Sequence, residues 1–589
     1  MVPSMPAPPP TAYDPILVEV IRNELEATVE EMRTAIRRTA RSPTVQIGDF
    51  AATLFDEHGR LLGLGTPHVQ NSMFATLVRR VLEEWSDDLH SGDAFISNDP
   101  YGGGSHLPDV TIVQPVFWNN ELVGFATTYT HHVDMGGRFP GSQSGKASES
   151  YEEGLRIPLL RLVSDSNMND AVLQLVMANV RARDDLRGDI EAKLAGCWKA
   201  GQFLVELLDK YGLHNFRSCC DYLVASAERA TREAFAKLPD GNYEADAVVR
   251  DDGHGPVDPP LRLRLRLIID GEEITADFTG TDAQARGAIN MPLANLHGVV
   301  HKTLHQLLCP TIPFNSGFMA AVRVEAPLGS LVNPTHPAAT GGRAALFFLV
   351  DEALYRALSL AIPDSVSVPR EQWDIIHFSQ QRNDGSEFAM MDLFCGGWGG
   401  GPRRDGLDGI GRYGFATPSA EVVERSFPLV IEGFGLVPDS EGAGSHRGSM
   451  AVFRRYRFLQ PGRIMIRTNR IGSSMGFAGG EFGDPPLTRL RRGASDVAVP
   501  AHSFAHFDVL AGDRLEHRVA GVGGYGDAWS RDVALVRADV VEGRVTVPKA
   551  RSRYGVVMDE ATLEIDEPAT VTLRSSRPDH AVATPVVKS

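Results

Sequence analysis

The sequence predicts an α+β protein of several lobes, with mixed helices and largely antiparallel sheets. Three observations carry that prediction. A helical period opens the chain after residue 13; the segment 261–280 (LRLRLRLIIDGEEITADFTG) alternates strictly and then turns back; and no regular strand–helix–strand rhythm joins the two kinds of element. No repeat of constant period is visible. At 589 residues the chain is too long for one core. The pattern divides it into a flexible tail over 1–13, a helix-and-hairpin lobe over 14–165, a helical block over 166–240, an α+β lobe over 241–365, a strand- and glycine-rich lobe over 366–560 and a C-terminal tail over 561–589.

Each element has a local reason. Asp14 and Pro15 form an N-cap followed by proline at the first helical position, and Leu17, Ile21, Leu25, Thr28, Met32 and Ile36 then recur at helical spacing. LFDEHGRLLGL and VFWNNELVGF read as hairpins. From about 168 to 236 a proline-free stretch reads as helix. The alternation from Leu261 reverses at a DG turn and predicts a half-exposed antiparallel pair. Residues 292–309 and 344–361 read as helices, and from about 365 to the end short strands alternate with glycine-rich turns.

Composition removes several function classes. With 58 basic and 75 acidic residues the net charge is -17, which disfavours nucleic acid and anionic membranes as partners. No run approaches the roughly 18 to 20 apolar residues of a membrane helix. MVPSMPAPPPTAY lacks the basic start and apolar middle of a signal peptide, so a cytoplasmic protein is expected. The five cysteines form no CxxC pair, which predicts reduced thiols and no cysteine-ligated zinc.

The chemistry concentrates in NDPYGGGSHLPDV (98–110) and TYTHHVDMGG (128–137). Val110–Phe117 and Leu122–Tyr129 read as two strands joined by Asn119-Asn120, residues that tolerate the positive φ of a two-residue hairpin turn. In that register paired residue numbers sum to 239, placing Asp109 opposite Thr130 and Pro108 opposite His131. The HxxD segment and the double histidine then meet at the open end of one hairpin. Two imidazoles and a carboxylate suit catalytic zinc, iron(II) or manganese, and such an ion polarises a carbonyl or makes a bound water nucleophilic. His106, Asp109 and His131 are the candidate ligands, His132 is the alternative to His131, and Asp134 is placed to orient a ligand histidine from behind.

A plainer reading stands beside this one, in which a histidine near a glycine-rich turn is a hydrogen-bonded surface residue. Gly102–Gly104 lack the Lys-Ser/Thr pair of a phosphate loop and read as a turn. CGGWGGGPRRDG (395–406), MGFAGGEFGDP (475–485) and AGVGGYGDAW (520–529) are either hairpin turns or loops walling a cavity. Cys395 is either a nucleophile or a small packed residue. No phosphate loop, kinase glycine loop or dinucleotide fingerprint occurs anywhere in the chain.

Over residues 14–558 the chain resembles the B-type subunit of the hydantoinase/oxoprolinase family, which includes the alpha-type subunits of acetone carboxylase and related subunits of acetophenone carboxylase. The resemblance rests on NDPYGGGSHLPD, HHVDMGG, EEGLRIP (152–158), NVRARDDLRGDI (179–190), DFTGT, GAINMP, PFNSG, PDSEGAGSHRG and GVGGYGD, in that order. It implies a heteromeric enzyme in which a separate A-type subunit binds ATP and phosphorylates a small-molecule substrate, while the metal-bearing B-type subunit completes the reaction. The implied reaction is hydrolysis of a cyclic amide of the hydantoin or 5-oxoproline kind. ATP-dependent ketone carboxylation is the alternative, and a non-catalytic structural partner of the ATP-binding subunit a second one. The resemblance maps the metal ligands onto His106, Asp109 and His131. One departure bears on substrate: Gly341-Gly342 is followed by Arg343, Ala344, Ala345, Leu346 and Phe347 in place of a polar Asn-x-Glu-Thr.

Overall fold

Asp14 caps the first helix, Pro15–Thr39, and its Oδ1 accepts the amides of Ile16 and Leu17 at 2.9 and 3.4 Å. A computed structural model describes residues 14–46, 48–63, 69–138, 141–370, 373–381, 387–410, 417–468, 472–500 and 504–577; the tail expected over 1–13 lies outside them. Two compact units divide the chain, Met1–Ala357 and Leu358–Ser589.

In the first unit, Ile21, Leu25, Met32 and Ile36 are fully buried, as their helical spacing predicts, and pack on the helix Arg183–Tyr211. Both helices cover one face of a six-stranded antiparallel sheet. Its strands are β1 (Phe50–Asp56), β2 (Ala94–Ser97), β3 (Asp109–Trp118), β4 (Glu121–His131), β5 (Leu160–Ser164) and β6 (Asn167–Met168), in the order β1-β4-β3-β2-β5-β6. Side chains alternate between the faces. Val110, Ile112 and Val116 join the core under the two long helices, whereas Val113, Phe125 and Tyr129 meet the helix Val69–Trp85 on the other side. The first expected hairpin is present in short form: Phe55 bridges Leu61 antiparallel, with the Asp56 amide donating to the carbonyl of Arg60 and the Leu62 amide to that of Leu54, while β1 pairs along its whole length with β4 on its other edge.

The helical block consists of Asp170–Ala178, Arg183–Tyr211 and Leu213–Phe235. A second sheet follows: β7 (Gly241–Asp251), β8 (Pro256–Asp270), β9 (Glu273–Asp277) and β10 (Val322–Glu325), ordered β10-β9-β8-β7, antiparallel except for β9 with β10. The alternation in β8 buries Leu263, Leu265 and Leu267 and leaves Arg262, Arg264 and Arg266 to pair with Asp246, Glu244 and Asp277. Helices Leu293–Leu308 and Ala344–Ala361 stand where the sequence places them.

The second unit holds antiparallel sheets of four and five strands. Its three glycine clusters converge backbone on backbone: Gly400 donates to the carbonyl of Gly523, and a Cβ at Gly448 or Gly521 would lie 1.8 Å from a carbonyl oxygen. Cys395 is a packed residue, and burial pushes its thiol up to about 12. The end of the chain departs from the expected strands and tail. Val533–Val541, Val547–Tyr554 and Glu567–Ser575 are helices, the last capped by Asp566 with a proline in its first turn. No described helix is long and apolar enough to cross a membrane.

Candidate metal centre

The segment before β3 is shaped by its asparagine, aspartate and glycines. Asn98, fully buried, donates to the carbonyl of Leu107 at 2.7 Å and accepts the amide of Ile157 at 2.6 Å. Asp99 caps the short turn Pro100–Gly102. Gly103 then takes φ 108°, and Gly104 packs so closely on Asp99 that a Cβ would sit 2.7 Å from its carbonyl oxygen. A final turn, Asp109 amide to His106 carbonyl at 2.9 Å, brings the histidine over the start of β3. These glycines therefore build the turn that presents His106, as the sequence indicates.

The hairpin register differs from expectation by one residue. Asn119 and Asn120 form the predicted turn with φ 49° and 66°, and Trp118↔Glu121 and Phe117↔Leu122 pair as expected. A β-bulge then inserts Val123, so that Val116 pairs with Gly124 and Asp109 with His131 instead of Thr130. The consequence is large because a one-residue slip exchanges the faces of a strand. Without the bulge His132 would share the face of Asp109; with it, His131 does.

The two histidines accordingly point into different surroundings. His106, Asp109 and His131 offer ligand atoms that all lie within 4.8 Å of one another, and all three are buried. His132 lies behind the sheet, its Nε2 3.1 Å from both Lys193 Nζ and Thr130 Oγ1 and its Nδ1 3.3 Å from Asp189 Oδ2. It is not part of the cluster. Asp134 does not orient a histidine either: its carboxylate accepts the amides of Gly136, Gly141 and Arg181 and the Arg181 guanidinium at 2.8 Å. Three residues past the strand end, it closes the loop instead.

The cluster suits a cation on its own chemistry. Burial, followed by the nearby Arg343 charge, pulls the His106 imidazole down to about 3, so it is neutral with a lone pair to offer. Burial pushes the Asp109 carboxyl up, but the imidazole of His106 and the guanidinium of Arg343 outweigh it, and the net shift is downward. His106 Nδ1 lies 3.0 Å from Asp109 Oδ2, and His131 Nδ1 is buried with no hydrogen-bond partner among the described residues. An orphaned buried imidazole nitrogen beside a charged carboxylate and a second imidazole suits a metal ligand set.

Five further residues surround the cluster. Gln143 places its amide 3.5 and 3.1 Å from the Nε2 atoms of His106 and His131, at the point on which both rings converge. Gln70 donates to Asp109 Oδ2 at 3.1 Å, as does Arg343 at 2.9 Å, whereas Oδ1 accepts from none of the described residues. Arg343 Nε is held by Ser105 Oγ at 2.6 Å and Asn295 Oδ1 at 3.2 Å. The loop that carries it hangs on Glu153, whose carboxylate accepts the amides of Thr340 and Gly341 at 2.9 and 2.6 Å. Finally Asp49, on the same sheet face, accepts the Tyr129 hydroxyl and, through its carbonyl, the amide of His131 at 3.0 Å. Only Arg343 had a signal in the sequence, as the departure after Gly341-Gly342.

Comparison with known proteins agrees with this architecture. The model of the family described as hydantoinase B/oxoprolinase matches residues 14–528. The caprolactamase subunit beta of Pseudomonas jessenii is 30% identical over 582 residues, covering 96% of this chain and 99% of that one. The crystal structure of the ATP-dependent caprolactamase from Pseudomonas jessenii superposes with a TM-score of 0.88 at 27% identity, over 96% of this chain and all of the other. A nucleotide-free acetone carboxylase shares the fold, with a TM-score of 0.82 at 19% identity over 95% of this chain and 82% of that one. With its matched segment covering nearly the whole first unit and most of the second, the chain belongs to the hydantoinase B/oxoprolinase family.

Proposed function

We propose that this chain is the metal-bearing subunit of an ATP-dependent cyclic amide hydrolase, acting on a substrate phosphorylated by a separate A-type subunit. The observation that carries the reading is the buried convergence of His106, Asp109 and His131, with His131 Nδ1 unpartnered among the described residues, in a member of the hydantoinase B/oxoprolinase family. These three residues would hold one zinc, iron or manganese ion. When bound, that ion supplies a Lewis acid where the ring carbonyl is attacked.

The chain's own residues do the rest. From the phosphorylated ring two waters are consumed: one adds at the ring carbon, whose C–N bond breaks, and the second releases the phosphoryl group as inorganic phosphate, leaving a carboxylate and an amine. Gln70 and Arg343 fix the Asp109 carboxylate through Oδ2, the oxygen that lies 3.0 Å from His106 Nδ1. Glu153 sets the loop that delivers Arg343. Gln143 presents an amide, able to donate or accept, where both imidazoles point. Asp49, turned inward by Tyr129, adds a second carboxylate on the same face.

The test is reconstitution with an A-type subunit and a screen of cyclic amides and ketones with ATP, with and without labelled bicarbonate. Bicarbonate-independent ring opening is expected. Label fixed into product would replace this reading with ketone carboxylation, and no turnover despite a functional partner would leave the chain a structural subunit.

A further inference from the structure

The landmark NVRARDDLRGDI runs into the helix Arg183–Tyr211, and nothing in the proposed reaction uses it. Asp189 and Lys193 stand one turn apart on this helix, and neither has any exposed surface. Lys193 Nζ donates to the carbonyl of Val110 at 2.8 Å and to His132 Nε2 at 3.1 Å. Val110 follows Asp109 in β3, and His132 follows His131 at the end of β4. One amino group therefore bridges the two strands beside the directly paired ligands, from the opposite face of the sheet.

We propose that Lys193 is a positioning residue that sets the separation of Asp109 and His131 from behind, with His132 and Asp189 as its anchors. The proposal rests on the metal-centre reading above. Thr130 Oγ1 also lies 3.1 Å from His132 Nε2. With Lys193 and Thr130 both donating to Nε2, the ring proton sits on Nδ1, which faces Asp189 Oδ2 at 3.3 Å. Asp189 in turn accepts the amides of Arg41 and Ser42 at 2.8 and 3.0 Å and the Ser42 hydroxyl. The strand end is thus tied through the ring to the long helix and to the segment that follows the first helix.

Packing alone does not call for this arrangement. Burying an ammonium is costly, and an apolar side chain of similar volume fills such a place at equal or lower free energy. The next turn of the same helix shows the simpler solution, with Cys197 packed on Thr128 and the carbonyl of Ala126. At the level of the ligands the fold keeps an amino group whose donors reach both strands.

The experiment uses the full chain as Lys193→Met, Lys193→Gln and, as a packing control, Cys197→Ala. Zinc affinity is read by chelator competition, ligand geometry by the visible absorption of the cobalt-substituted protein, and folding by circular dichroism. Lys193→Met is expected to keep the stoichiometry but bind zinc about ten- to a hundredfold more weakly, with an altered cobalt spectrum. Lys193→Gln, which keeps a donor, falls between, and Cys197→Ala matches the parent protein. Parent affinity and spectrum in Lys193→Met would overturn the proposal, and so would an equal loss in Cys197→Ala. Should Lys193→Met fail to fold, Lys193→Gln carries the test; failure of both would make Lys193 a core residue and overturn it too. A parent chain that binds no metal would instead defeat the proposed function itself.

Discussion

Arg343→Met isolates the electrostatics of the candidate centre. Two side chains donate to Asp109 Oδ2, Gln70 at 3.1 Å and Arg343 at 2.9 Å, and of the two only Arg343 is charged. Asp109 is 3% exposed, so without Arg343 the metal-free protein holds a buried carboxylate lacking its counter-charge. Breaking such a pair costs about 3–5 kcal/mol, and the stranded acceptors on Ser105 and Asn295 add about 1 kcal/mol. Against a stability of about 5–15 kcal/mol this is a large fraction, and with a urea slope of about 1–3 kcal/mol per molar it lowers the midpoint by about 1–6 M. The assay is urea unfolding followed by circular dichroism in the presence of a chelator. Asp109→Asn in the same background removes the stranded charge and is expected to recover at least half of the loss. Zinc should narrow the gap as well, because it supplies the missing positive charge. A variant within about 0.5 kcal/mol of the parent under chelation, or a double variant less stable than Arg343→Met, would refute the reasoning.

Three further outcomes are expected. His132→Ala retains a stoichiometric ion at saturating metal and His131→Ala does not, measured by elemental analysis, because only His131 shares the face of Asp109. Burial raises the Glu153 carboxyl from its ordinary 4.5 to about 7, so the folded state holds its proton more tightly than the unfolded chain. Its stabilising contribution is then complete below about pH 4.5 and lost as pH rises through about 7, a change of about 3 kcal/mol that Glu153→Gln should flatten in melting curves under chelation. The isolated chain should hydrolyse no ATP with or without substrate, since no phosphate loop is present, and substrate-stimulated turnover in a coupled phosphate assay would contradict the division of labour.

How far the site could be read in advance depended on the range of the interaction. Asn119-Asn120 announces its turn because positive φ is a local property, and the meeting of HxxD with the double histidine follows from counting along two strands. The bulge did not follow from counting, although Gly124 was an available sign. A Cβ there would lie 2.4 Å from the carbonyl of Phe55, and an isolated glycine in a strand often marks a bulge or a close backbone approach. Asp134 was misassigned because sequence proximity to His132 says nothing of where a loop carries a side chain; its partner is Arg181. Arg343 stood out in the sequence only as a departure after Gly341-Gly342, and its reach to Asp109 across 234 positions, like the place of Asp49, belongs to tertiary structure. The helices after residue 532 were legible in part. Asp532, Asp566 and the prolines behind Thr546 and Glu567 are ordinary start signals, masked by the glycine-rich strands before them.

The central claim is that His106, Asp109 and His131 hold a catalytic divalent ion, and elemental analysis of the purified full chain beside its His106→Ala and Asp109→Ala variants tests it most directly. The account predicts about one zinc, iron or manganese per parent chain and an affinity lower by at least about tenfold in each variant, since each removes one of three ligands. A parent chain free of metal after growth and purification with those ions supplied, or full occupancy in both variants, would contradict it.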